Sequence, residues 1–219
     1  MEFQEIIHKR QSIRKFKEGA VPKEHIYEIV RAAGLAPSGK NSQNWHFVVI
    51  QNEELKQKVG QAVLDKNESI CLEMDKIDKA RGDMFRKFVK NFTLFFLKAP
   101  VIAVVFTTEY KPSGYYEYQF IDAGQTILDD LVKHKNPGMQ SLGAALENFT
   151  LKAVDLGYGT CWLTSANYAS DEITALLKKE IDFEKEDYFM AAMMVLGIPE
   201  DGQNSPKKKP VEQILTYIE

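Results

Sequence analysis

The chain has 219 residues and only two cysteines, Cys71 and Cys161, too few for a disulfide framework or a cysteine-built metal centre. Its four histidines (His8, His25, His46 and His134) are scattered, with no HxxxH or HxH pair, so no metal is expected. No apolar run is long enough to span a bilayer. The longest candidate, Phe92 to Phe106, is interrupted by Lys98 and Pro100. Met1 to Lys9 holds Glu2 and Glu5 and no h-region, which argues against a signal peptide and for a cytoplasmic location. A P-loop and a G-x-S-x-G elbow are absent, and Gly157-Tyr158-Gly159 lacks the third glycine of a dinucleotide fingerprint and follows a helical pattern rather than a strand. Positive charge is not in excess. The net charge of −3 excludes a general attraction to nucleic acid or to an anionic membrane surface.

What is present is ordinary for one globular domain, with 44% hydrophobic and 27% charged residues and no repeat, linker or break in composition. Helical spacing covers Phe3 to Lys9, the stretch after Pro22 (Ile26, Ile29, Val30, Ala33), Glu53 to Leu64, and Asn67 to Leu97. It returns at Gln119 to His134, Met139 to Leu156 and Asp171 to Lys179, with an Asn136-Pro137-Gly138 turn and a short amphipathic tail from Val211 to Ile218. Strands are expected at His46 to Ile50, Val101 to Phe106, Thr160 to Leu163 and Phe189 to Leu196. This predicts a single α+β domain over residues 1–219, with four to five strands and more helix than sheet. Phe85, Phe88, Phe92, Phe95 and Phe96 recur at helical spacing, most simply as a packing face.

The chemistry-bearing residues are distributed. Arg10, Ser12 and Arg14 alternate, so an extended backbone would present all three on one face, and arginine forks suit phosphate. Alone, the stretch reads more simply as a solvated basic turn after the first helix. Pro37 to Asn41 is a polar loop, Gly157 to Ser165 a glycine-bounded strand, and Lys207 to Lys209 either a second basic cluster or a solvated charge run. Together they describe a small α+β domain that holds a phosphorylated aromatic cofactor.

The order of motifs resembles the nitroreductase family of flavin-dependent oxidoreductases. The matching residues are Arg10-Gln-Ser-Ile-Arg14-Lys-Phe16, Ala36-Pro-Ser-Gly-Lys-Asn41-Ser-Gln43-Asn-Trp45, Ala145-Leu-Glu-Asn148, Leu156-Gly-Tyr-Gly-Thr160-Cys-Trp162, Leu196-Gly-Ile-Pro199 and Lys208-Lys-Pro210. The resemblance implies a nitroreductase-like fold, a central mostly antiparallel sheet surrounded by helices, and a homodimer with FMN at its interface. It places Arg10 and Ser12 at the FMN phosphate and ribityl chain, and Arg14 near the ribityl chain and the N1/O2 ring edge. Pro37, Ser38 and Asn41 would reach the partner's FMN, Thr164 and Ser165 would lie beside the ring, and Lys208, with Lys207 second, would close on the phosphate. FMN would carry the chemistry, with NAD(P)H as donor, a small molecule as acceptor and no catalytic side chain. Cys161 and Trp162 are expected to pack in the core. Asn44 stands where the family often has proline, and is expected to change the stiffness of the loop more than its contacts. The helical region around 67–98 and the Tyr115-to-Asn136 segment would form lids, and the tail 210–219 would pack on the partner. The family also contains dehalogenating and flavin-fragmenting branches, and a flavin-binding protein without turnover is a further alternative.

Overall fold

A computed structural model describes all residues from Met1 to Glu219. The strands β1 (Trp45–Ile50), β2 (Val101–Thr108), β3 (Gly159–Leu163) and β4 (Tyr188–Gly197) form one sheet in the order β1-β2-β4-β3, antiparallel throughout. Strand β2 is buried along both faces because it is central, which is why its sequence is a continuous apolar run rather than an alternation.

Two cores follow from the alternation of side chains. On one face, Val101, Ala103, Val105, Met194 and Leu196 pack against α2 (Lys23–Gly34) and α7 (Pro137–Asp155). On the other, Ile102, Val104, Phe106, Met193 and Val195 meet α3 (Glu53–Asp75), α8 (Ser170–Ile181) and Phe96. The register shifts between Val105, opposite Ala192, and Phe106, opposite Met190, leaving Ala191 as a bulge. Remaining helices are α1 (Phe3–Lys9), α4 (Lys79–Phe88), α5 (Tyr115–Phe120) and α6 (Gln125–Asp129).

Several boundaries differ from the sequence reading, each for a local reason. Helix α3 runs without a break through Asn67 to Asp75, with Asn52 capping its start through a 2.8 Å bond from Leu55 N–H. Asp78 then caps α4. The expected Gln119-to-His134 helix is divided, because Asp122 (φ 50°) and Gly124 (φ 94°) take left-handed conformations. Asn136-Pro137 starts α7 rather than making a free turn: Asn136 accepts from Met139 N–H and Pro137 occupies the first turn. The phenylalanine stripe splits, with Phe95 and Phe96 buried but Phe88 and Phe92 stacked on each other at 5.6 Å and exposed. The tail forms one short turn, Val211–Gln213, and its apolar side chains are exposed. No helix is long and apolar enough to cross a membrane.

Candidate functional site

Helix α1 stops at Lys9 and the chain then runs extended beside β3. Ser12 bridges Thr160 in the parallel sense, and Ile13 N–H donates to Thr160 O at 2.7 Å. Ile13 is buried against Gly159, where an added Cβ would lie 2.6 Å from Ile13 Cγ1, so only glycine permits this approach. Inward-facing Ile13 puts Arg10, Ser12 and Arg14 on the opposite, outward side. Phe16 bridges Pro199, Lys17 N–H donates to Ile198 O, and Glu200 N–H donates to Lys15 O. The arm 10–17 is therefore held between β3 and the chain following β4.

The cations on this arm have few partners. Arg10 Nε lies 3.8 Å from Glu147 Oε1 on α7, too far for a hydrogen bond. The Arg14 guanidinium stands 5.8 Å from the Phe95 ring centroid and donates only a long bond to Ser12 O. Thr160 Oγ1, on the β3 residue that bridges Ser12, is buried without a hydrogen-bond partner. Two weakly paired guanidiniums, an exposed hydroxyl and an orphaned buried hydroxyl fit a phosphorylated polar ligand. Burial pushes the Cys161 thiol up, opposed by the Arg14 charge and a hydrogen bond with Ser12.

Because Ser12 and Thr160 are bridged in parallel, Arg14 lies further along β3 than Arg10, toward Thr164 and Ser165 just past its end. That corner is fixed by Asn167. Its N–H donates to Thr164 O, and its side chain donates to the bulged Ala191 O at 2.7 Å. Trp162 points the other way from Cys161 and is 45% exposed, within van der Waals reach of Gly143 on α7. The core role expected for Trp162 is thus not observed: on the edge strand β3 it lies against α7 without being covered by it.

Pro37, Ser38 and Asn41 form no hydrogen bond or ion pair with Arg10, Ser12 or Arg14. Their loop sits at the other end of α7, where Gly39 N–H donates to Ser141 Oγ, and it borders a cleft of about 460 Å³ with Tyr110 and Gln140. Lys40, Asn41 and Gln43 all have positive φ, a strained backbone held by the Ser38 hydroxyl, which accepts from Gln43 N–H. Asn44 makes contacts that proline could not: its buried amide donates to Thr107 Oγ1 at 2.7 Å and to Gly138 O. The substitution changes contacts as well as stiffness. Lys207 and Lys208 are exposed and unpaired, on chain without regular structure.

One participant had no sequence signal. Gln203 Oε1 accepts from both Arg14 N–H and Lys15 N–H, and its main-chain O accepts from Gln11 Nε2. No cluster of three or more His, Cys, Asp or Glu could hold a metal ion.

A family model described as the nitroreductase family matches residues 7–198. The chain belongs to the nitroreductase family. Among solved structures, a BluB-like flavoprotein from Clostridium difficile 630 is 58% identical, with full coverage of both chains and a TM-score of 0.96. A nitroreductase with bound FMN from Bacteroides fragilis NCTC 9343 shares the fold at 20% identity, covering 100% of each chain, with a TM-score of 0.70. The iodotyrosine deiodinase of Haliscomenobacter hydrossis is 31% identical over 214 residues, 94% of this chain and 82% of that protein. Mouse iodotyrosine deiodinase 1 is 33% identical over 106 residues, so the match spans 48% of this chain and only 36% of the mouse protein.

Proposed function

We propose that this nitroreductase-family chain is an FMN-dependent oxidoreductase that takes a hydride from NAD(P)H and reduces nitroaromatic, quinone or related small acceptors. The observation that carries the reading is the pinned arm 10–17, which presents Arg10, Ser12 and Arg14 along β3 toward Thr164 and Ser165. Bound FMN would supply the hydride and electron transfer, alternating between donor and acceptor in a ping-pong cycle. Arg10, Ser12, Lys208 and Lys207 would bind the phosphate and sugar chain. Arg14, always charged, would favour the negative charge that reduction places on the ring edge. At ~4 Å and an effective dielectric of about 20 that attraction is about 4 kcal/mol before desolvation. Thr164 and Ser165 would orient the ring through the corner that Asn167 fixes. No side chain need act as nucleophile.

The exposed apolar surface supports a homodimer with shared sites as part of the same reading. A compact 25.0 kDa monomer exposes about 10,200 Å², whereas this chain exposes 13,639 Å². Part of the excess is the tail, where Val211, Ile214, Leu215, Tyr217 and Ile218 are all exposed. Beside the edge strand β1, Ile26, Val30, Phe47 and Val49 line an apolar groove rimmed by Lys23 and Arg31. It complements the apolar residues of a partner's tail and that tail's Glu212 and Glu219. Pro37, Ser38 and Asn41, which face no cofactor residue of their own chain, would then reach the partner's FMN.

The test is spectroscopic. The purified or FMN-titrated protein should show flavin bands that NADH or NADPH bleaches and a nitroaromatic or quinone restores. Bound flavin without NAD(P)H oxidation would leave a binding protein and remove the enzyme. A second reading, reductive dehalogenation, is favoured by the 31% identical deiodinase relative. Halide release from a halotyrosine, with no turnover of nitroaromatics, would select it. Irreversible loss of the flavin bands in air would select a flavin-fragmenting branch instead.

A further inference from the structure

We propose that Gln203 is a positioning residue of the phosphate clamp, holding the arm that carries Arg10, Ser12 and Arg14 through a carboxamide clasp. The inference deepens the FMN reading and rests on it. Gln203 Oε1 accepts from Arg14 N–H and Lys15 N–H, both at 3.0 Å. Its Nε2 donates to Lys15 O at 2.8 Å and to Glu200 O at 3.0 Å. Two lone pairs and two N–H groups are thereby all used, which saturates the carboxamide. Only a carboxamide suits this setting, because a carboxylate would satisfy the two donors and face two carbonyl oxygens with none.

The clasp matters because β3 holds only one flank of the arm. Its single backbone bond there runs from Ile13 N–H to Thr160 O, just before Arg14 and Lys15. Their N–H groups turn away from β3 and find Gln203 instead. The clasp holds the arm at Arg14 and Lys15, just past the bond at Ile13, and so fixes where Arg14 stands relative to the bridged Ser12. Gln11 Nε2 closes the loop by donating to Gln203 O at 2.8 Å. Lys207 follows four residues later, which limits its distance from the clasp to about 14 Å even when fully extended. The clasp thus lies within reach of both basic clusters, although it fixes only the first.

The test compares FMN with riboflavin, which lacks the phosphate, for wild type, Gln203→Leu, Gln203→Glu and Gln11→Ala. Wild type should prefer FMN. Gln203→Leu should weaken FMN binding about tenfold and riboflavin binding less, the smaller loss coming through Arg14 at the ring edge, and the isosteric Gln203→Glu should lose at least as much. Gln11→Ala, which spares the side-chain clasp, should lose about threefold. Amide exchange at Arg14 and Lys15 in flavin-free protein should quicken in Gln203→Leu. A retained FMN preference in that variant, with exchange quickened, would overturn the proposal. Should Gln203→Leu fail to fold, an unchanged FMN preference in Gln203→Glu overturns it instead. If wild type itself does not prefer FMN over riboflavin, the phosphate reading fails first and the clasp role falls with it.

Discussion

Residues 10–17 and residues 204–219 both combine clustered basic residues with apolar ones, yet the chain treats them in opposite ways. The first stretch buries Ile13 and Phe16, bonds its backbone to Thr160 and Ile198, and is clasped by Gln203. The second leaves every apolar side chain exposed and makes one short turn. A charged side chain is a dependable ligand only when its backbone is fixed, since otherwise binding must also order the chain. One wall of the proposed site is therefore finished within a chain, and the other awaits a partner.

The strongest way to break that comparison is to delete residues 211–219. Five apolar side chains there would each contribute about 1.5–3 kcal/mol on burial, so the truncated protein should sediment as a monomer and lose tight FMN binding. A truncated dimer with full affinity would show that the tail has no partner. Within the finished wall, Arg10→Ala should cost about 2 kcal/mol in FMN binding, roughly thirtyfold, with the melting temperature unchanged. Lys208→Ala should cost less, about 1 kcal/mol, because its chain is not fixed. Equal losses from Arg10 and Lys208 would erase the distinction between the two regions. Titration of FMN by fluorescence quenching measures both.

The smallest effect lies away from both regions and serves as their control. Half-buried His46, stacked on Phe183 at 5.3 Å, has its pKa lowered by burial and then by the nearby Lys185 charge. Below about pH 6.5 the unfolded chain takes up this proton more readily than the folded one. Stability should thus fall as the pH drops from about 6.5 toward the lowered folded value, and His46→Gln should flatten that part of the profile. Urea midpoints across pH 5 to 8 check it, and FMN affinity should not change in parallel.

Much of the fold was readable because it rests on local pattern. The continuous run in β2, the four strands and the small-residue α7 all follow from periodicity and burial. The breaks around Asp122 and Gly124 were missed because positive φ at an aspartate has no distinctive spacing. Trp162 was misplaced because whether a strand face at a sheet edge is covered depends on tertiary packing. At the candidate site, alternation exposed the Arg10-to-Arg14 arm, but its support did not show. Gln203 acts 189 positions from Arg14, and Asn44 acts through Thr107, 63 positions away. Side-chain bonds to distant backbone leave no period in the sequence.

The central claim, an FMN site assembled from two chains, is tested most directly by subunit mixing. Arg10→Ala and Asn41→Ala proteins, each weakened alone, are mixed, allowed to exchange subunits and titrated with FMN. In a mixed dimer both lesions fall in one site, and the other site joins an intact Arg10 to an intact Asn41. The account predicts recovery of one tight FMN site per mixed dimer. If each chain binds FMN alone, every site keeps one lesion, and no recovery on mixing would contradict the account.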